Sequence, residues 1–123
     1  MYEISDEQFQ ELIDRAFDSL PKTHRDNVRN VAILFADEPD AEQRLELKLR
    51  HDQTLLGLYQ GVPLSKRQGQ QPTLPDRITL FKWPLLAASH DDASLYENVR
   101  HTLWHEIAHY YGLNHAKIHE LEQ

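Results

Sequence analysis

The segment His105-Glu106-Ile107-Ala108-His109 sets two imidazoles four residues apart, with a carboxylate directly after the first. On a helix that spacing projects both rings from one face, where they can share a tetrahedral zinc ion. Glu106 is rotated by about 100° from His105, next to that face, where it can take a proton from a water on the metal. Gly112 and His115 extend the pattern to H-E-x-x-H-x-x-G-x-x-H. Gly112 lets the chain leave the helix in a left-handed conformation, so that His115 can turn back and supply a third nitrogen. The fourth position then stays open for water, which separates a catalytic zinc from a structural one. The expected chemistry is hydrolysis at one Zn2+ held by His105, His109 and His115, with Glu106 as the general base.

Chance is a poor competitor for this pattern. The chain has 123 residues with eight His and ten Glu. Shuffling that composition gives H-E-x-x-H roughly four times in a hundred, and the full pattern roughly once in ten thousand. Zinc is itself an inference from ligand type, because three imidazoles also accept other first-row metals.

A helix must carry the motif, and the flanking residues supply one. Ser94 and Glu97 form a capping-box pattern at its start, and Gly112 suits the position just past its end. At about 100° per residue from Leu95, the side chains of Val99, Leu103, Ile107 and Tyr110 fall in one apolar stripe between about 40° and about 120°. His105 and His109 fall at about 280° and about 320°, away from that stripe, and His101 at about 240°. Glu106 falls at about 20°, at the stripe's edge, where an idle carboxylate would be costly. Tyr110 reads as core, and Tyr111 could offer a hydroxyl to an oxyanion. His101 reads as an exposed side chain that could line a cleft, His24, His51 and His90 as surface loop residues, and His119 as a neighbour of the site.

Upstream, Ser5 and Gln8 open a first helix whose Phe9, Leu12, Ile13, Ala16, Phe17 and Leu20 share one face, and Pro21 stops it. Val31 to Phe35 is a continuous apolar run that reads as a buried strand. Residues 40–50 read two ways: Asp40 could cap a short helix through Gln43, the reading adopted, while Leu45, Leu47 and Leu49 alternate like a strand. Thr54 to Tyr59 reads as a second strand, in which Gly57 marks a bulge or a place where another backbone comes close. Residues 61–76 form a long loop, and Arg77 to Trp83 a third strand ended by Pro84. Asn114 could cap a last short helix.

Composition removes whole classes of function. Zero Cys excludes disulfide scaffolds, Cys-rich zinc ribbons, iron–sulfur clusters and thiol nucleophiles. A net charge of −7 argues against broad binding to a phosphate backbone. The charge is uneven: four basic residues (Lys66, Arg67, Arg77 and Lys82) and one acidic residue (Asp76) leave residues 53–89 at +3. That island reads first as a solvated loop with two exposed strand ends, and second as an anion or substrate contact. No apolar run approaches a membrane span, and the acidic N-terminus lacks the regions of a signal peptide, so a cytoplasmic protein is expected. The length matches one compact domain over residues 1–123.

The chain resembles the small bacterial zincin-like metallopeptidases. The resemblance rests on Phe9 to Pro21 (FQELIDRAFDSLP), Asp37-Glu38-Pro39, Leu56 to Leu64 (LGLYQGVPL), Leu74 to Leu80 (LPDRITL) and His105 to His115. It implies an α+β fold, with a small twisted mixed sheet backed by helices and the active-site helix below a cleft. Carried over by position, the family's metal ligands fall on His105, His109 and residue 115, and its general base on Glu106. Many members have Asp at the third position, where this chain has His115. His there moves the set toward the metzincin pattern, yet metzincins carry a Met-turn after the motif and Met1 is this chain's single Met.

Three functions follow from these readings. The first is a zinc-dependent peptidase acting on a peptide or protein substrate held by strand addition along an edge strand, 77–83 or 54–59. The second is a non-catalytic zinc-binding module, suggested by the eight residues that follow His115 and leave little for a far wall of a peptidase cleft. The third is metal-dependent RNA hydrolysis, since a bacterial ribosomal-RNA maturation endonuclease family uses H-G-x-x-H-x-x-G-x-x-H. Glu106, where that family has Gly, and the acidic balance both discriminate against it. Oligomeric state is not legible.

Overall fold

The computed structural model describes residues 3–26, 28, 30–61 and 76–112. Helix α1 (Asp6–Ser19) opens as its capping box requires. The Ser5 hydroxyl accepts from the Gln8 amide at 3.1 Å, and the Gln8 side chain accepts from the Ser5 amide at 2.8 Å. Phe9, Leu12, Ile13 and Ala16 form its buried face. Its end at Leu20-Pro21 agrees with the sequence, but a single further turn, α2 (Lys22–Arg25), follows at once. Pro21 stops α1 and stands as the N-cap of that turn, so it punctuates the helical run without ending it.

The sheet has three strands in the order β1-β3-β2, formed by β1 (Val31–Ala36), β2 (Gly57–Gln60) and β3 (Asp76–Phe81). The strand β1 runs parallel to β3 with Ile33 opposite Ile78, and β2 runs antiparallel with Tyr59 opposite Ile78. This is the small mixed sheet of the expected α+β fold. The central position of β3 overturns one expectation, because residues 77–83 offer no edge to a substrate. Strand β2 does. Its first residue is Gly57 and not Thr54, since the ladder to β3 begins with the bond from the Phe81 amide to the Leu56 carbonyl at 2.9 Å.

Helix α3 (Ala41–Glu46) starts at Asp40, whose carboxylate accepts from the Gln43 amide at 2.7 Å, as expected. Helix α4 (Lys82–Ala87) is not legible in the sequence, because Pro84 reads as a strand terminator. It occupies the first turn of α4, where a missing N–H leaves no intrahelical bond unmade. Lys82 is also not the exposed strand end that charge patterning suggests. It is 7% exposed, and its ammonium meets the Asp6 carboxylate at 2.7 Å, tying α4 to the start of α1. Arg77 is exposed as expected, and Lys66 and Arg67 lie outside the described residues.

The core joins α1, the central strand and the longest helix, α5 (Asp92–Tyr110). Phe9, Ile78, Leu80, Leu95, Val99, Leu103 and Ile107 are fully buried within it. No helix among the described residues is long and apolar enough to cross a membrane.

Gly57 sets how closely α5 approaches β2. A Cβ at that position would lie 2.7 Å from the Thr102 methyl carbon and 3.4 Å from Cγ of Glu106. Thr102 is β-branched and stiff at χ1 in a helix, so it cannot swing aside cheaply. Gly57→Ala should therefore destabilise the protein by about 1–3 kcal/mol, the usual cost of overpacking. Thr102→Ser, which removes only the obstructing methyl, should recover much of that loss in a urea-unfolding double-mutant cycle. A Gly57→Ala penalty that is unchanged in the Thr102→Ser background would locate the cause elsewhere.

Candidate metal centre

Helix α5 begins three residues before the sequence pattern suggests. Its N-cap is Asp91, and Ser94 stands at the third helical position instead of at the cap. The Asp91 carboxylate accepts from the Ser94 amide at 2.7 Å, and the Ser94 hydroxyl accepts from the Asp91 amide at 3.1 Å. Hydrogen bonds donated by the Ser94 amide and by the Ser94 side chain hold the Asp91 carboxyl below its ordinary range. At the other end Gly112 takes φ 83°, and its amide bonds to the His109 carbonyl at 2.9 Å. Gly112 thus ends the helix in the left-handed conformation expected of it.

Between those ends nearly every side is covered. Leu95, Val99, Leu103, Ile107 and Tyr110 are buried as the apolar stripe demands, and Thr102, Trp104, Glu106 and Ala108 are buried as well. Among the described residues, what remains open around the motif is a narrow sector holding exposed His101 and half-buried His105 and His109. The rings of His105 and His109 stand 5.0 Å apart at 68° to each other. Potential ligand atoms of His105, Glu106 and His109 all lie within 4.8 Å of one another. Two imidazole nitrogens so placed can converge on one ion at about 2.0–2.1 Å with small rotamer changes, so the donor set fits a zinc-type metal. His115, the expected third ligand, lies outside the described residues, as do His119, Asn114 and residues 62–75.

Glu106 is set apart from its two neighbours by depth. It is 8% exposed and packs under β2, beside Gly57 and Thr102. Burial pushes its carboxyl up to about 7, and a hydrogen bond donated by the Tyr59 backbone amide opposes that shift. The ladder explains why this amide is available to it. Because Leu56 pairs with Phe81 through hydrogen bonds, Leu58 and Gln60 also face β3, and the amides and carbonyls of Gly57 and Tyr59 point to the outer side of the sheet. Glu106 thus joins the outer side of β2 to a helix face on which its ligand atom lies within 4.8 Å of those of His105 and His109.

Tyr59 is in turn held from the other side. Its hydroxyl donates to the Asp76 carboxylate at 2.6 Å, and its ring meets Tyr110 edge-on at 6.2 Å. Asp76 is 5% exposed and packs against Gly61, where any Cβ would collide with its carboxyl group. Sequence reasoning gives no role to Tyr59 or Asp76. Both occur in the segments LGLYQG and LPDRIT that carry the resemblance, which is the available signal.

Other side chains find different places than expected. Tyr111 offers nothing to an oxyanion, because its hydroxyl donates to the His24 carbonyl at 2.7 Å. Burial, with Tyr110 and Asp26 nearby, raises that hydroxyl above its ordinary range. His24 is no surface loop residue: it belongs to α2, and its ring stacks on Trp104 at 4.3 Å and 15°. His51 and His90 are exposed as expected.

The sequence model of the zincin-like metallopeptidase family matches residues 28–123. The chain belongs to that family, which implies a bound metal, usually zinc. A conserved hypothetical protein from Thermo thermophilus has a similar structure, with a TM-score of 0.57, 20% sequence identity, and coverage of 97% of this chain and 100% of its own. At that identity the likeness is one of fold. None of the curated proteins compared matches the chain.

The raised Glu106 carboxyl makes the stability of the metal-free protein depend on pH. Between the ordinary value of 4.5 and about 7, the folded chain keeps a proton on Glu106 that the unfolded chain has released. Stability therefore falls as pH rises through that window, by at most about 3 kcal/mol. In chelator-treated protein, Glu106→Gln should remove that part of the decline, so that the variant gains on the wild type between pH 5 and pH 8. Parallel urea-unfolding curves for the two proteins at both pH values would contradict this account.

Proposed function

We propose that the protein is a zinc-dependent peptidase in which His105, His109 and His115 hold the metal and Glu106 moves the proton. The observation that carries this reading is the depth of Glu106. A carboxylate is buried beside two solvent-facing imidazoles and is tied to the amide of an edge strand. A structural metal site needs no such group, whereas a hydrolytic site needs a base within reach of the attacking water. Family membership supports the same chemistry.

When bound, zinc supplies a Lewis acid that acidifies water and polarises a carbonyl. The chain's own residues supply the rest. Glu106 takes the proton from the attacking water and delivers it to the amine that leaves, and its perturbed carboxyl suits both halves of that exchange near neutral pH. The bond from the Tyr59 amide keeps one carboxylate oxygen at a fixed place. The Tyr59–Asp76 hydrogen bond keeps that stretch of β2 from shifting. The Tyr59 amide is taken by Glu106, but the outward amide and carbonyl of Gly57 and the carbonyl of Tyr59 can pair with an extended peptide, laying its backbone beside the imidazoles. This corrects the choice of edge: β2 takes the substrate role and β3 does not.

RNA hydrolysis gains no support from this arrangement, because an acidic chain with a buried Glu beside the metal is poorly suited to a polyanion. Glu106→Gln should retain zinc by metal analysis while cleavage of a peptide library falls by at least about 100-fold, the usual contribution of a general base. His105→Ala and His109→Ala should lose both zinc and cleavage. Wild-type digestion that is unchanged by a chelator, or a Glu106→Gln protein that cleaves normally, would sink the proposal.

A further inference from the structure

We propose that a cavity between α2 and α5 receives an aromatic side chain of the substrate, next to the bond that is cut. The inference rests on the peptidase reading above. The cavity measures about 230 Å³. Leu20, Pro21 and His24 line one side of it, and Arg100, His101 and Trp104 the other.

Its position follows from the helical wheel of α5. Thr102 and Glu106, the side chains that meet β2 at Gly57, lie at about 340° and about 20° when Leu95 is set at zero. His105 and His109 lie at about 280° and about 320°, with His101 at about 240° and Trp104 at about 180°. The proposed metal pair therefore separates the β2 edge on one flank from the cavity on the other. Along the helix axis the cavity is also close, because His101 and His105 are one turn apart with ring centroids 6.5 Å from each other. A peptide paired along β2 and crossing the metal pair would bring its next side chain over His101 and into this cavity.

The walls select the class of side chain. Leu20 is 4% exposed and Trp104 is 8% exposed, so the floor is apolar. The stacked rings of His24 and Trp104 present a planar aromatic wall, which favours a flat ring by stacking or edge contact. Glu97 also lines the cavity and offsets Arg100, so the lining gives no net preference for an acid or a base. Arg100 is itself committed, with its Nε donating to the Ser19 hydroxyl at 2.8 Å. The wall can hold its shape, because the Tyr111 hydroxyl fastens the backbone of His24 to the end of α5.

The test compares phenylalanine hydroxamate with glycine hydroxamate, two zinc-binding probes that differ only in the aromatic side chain, on the zinc-loaded protein. Trp83→Phe leaves Trp104 as the single tryptophan, since the chain has two. Phenylalanine hydroxamate should bind about tenfold tighter than glycine hydroxamate, a gain modest for burial of a ring. It should also change Trp104 emission, which glycine hydroxamate should not. His24→Ala should erase most of that preference, and His24→Phe, which keeps a planar ring, should preserve it. Equal binding of the two probes, or preferential binding with no change in Trp104 emission, would overturn the side-chain pocket and leave the metallopeptidase reading intact. A zinc-loaded protein that binds neither probe would overturn both.

Discussion

Burial of the Glu106 carboxylate at the seam between α5 and β2 is the constraint around which the rest of the molecule is arranged. A charged group at that depth is costly unless it is bonded or protonated. The fold supplies a bond from the Tyr59 amide, and it does so only because Tyr59 faces outward in its ladder with β3. The helix can come near enough to use that amide only because residue 57 lacks a side chain. Removing either condition leaves the buried carboxylate without its donor. The Tyr59–Asp76 bond and the packing of Gly61 on Asp76 extend the same constraint into the start of β3. The site is thus built from the helix and the sheet together, although its recognisable motif lies wholly on the helix.

That division explains what is legible in the sequence. The spacing of His105, Glu106 and His109, the left-handed exit at Gly112 and the expulsion of the two imidazoles from the apolar stripe are local properties of one helix. Local periodicity reads them correctly. The capping boxes of α1 and α3 are local too. Gly57 is legible as a place of close approach, though the nearest groups are the side chains of Thr102, Leu80 and Glu106 and not another backbone. The part played by the Tyr59 amide depends on which residues of β2 face β3, a register that no single strand encodes. Family resemblance covers that gap only by flagging the two segments, without saying what they do.

The misreadings share a physical cause as well. Pro84 ends a strand and also suits the first turn of a helix, so its chemistry alone cannot choose between them. Ser94 pairs with Glu97 by pattern and with Asp91 in the fold, because both spacings satisfy the same cap. The folded chain takes the alternative that begins α5 three residues earlier. Lys82 reads as solvent-facing because its charge is seldom buried, and His24 because its segment looks like a loop. Each is exempted by a specific partner, Asp6 for Lys82 and Trp104 for His24, that is distant in sequence.

The same distant partners show how a short chain can shape a site with few elements. Helix α1 precedes the residues that the family model matches, yet it packs on α5 and leads directly into the turn that carries His24. Arg100 reaches back to Ser19 at the end of α1, and Tyr111 reaches back to His24 in α2. Both bonds run from one side of the motif helix to the same stretch of chain, so the N-terminal segment is fastened above and below Trp104. On the opposite flank, Tyr59 fastens β2 through Asp76 and Glu106. The two imidazoles lie between these fastenings, in the only sector of the motif that the described residues leave open to solvent. Among the described residues, that open sector is where the proposed metal and peptide would have to meet, while Glu106, the proposed base, is kept dry on one side and an aromatic wall is held on the other.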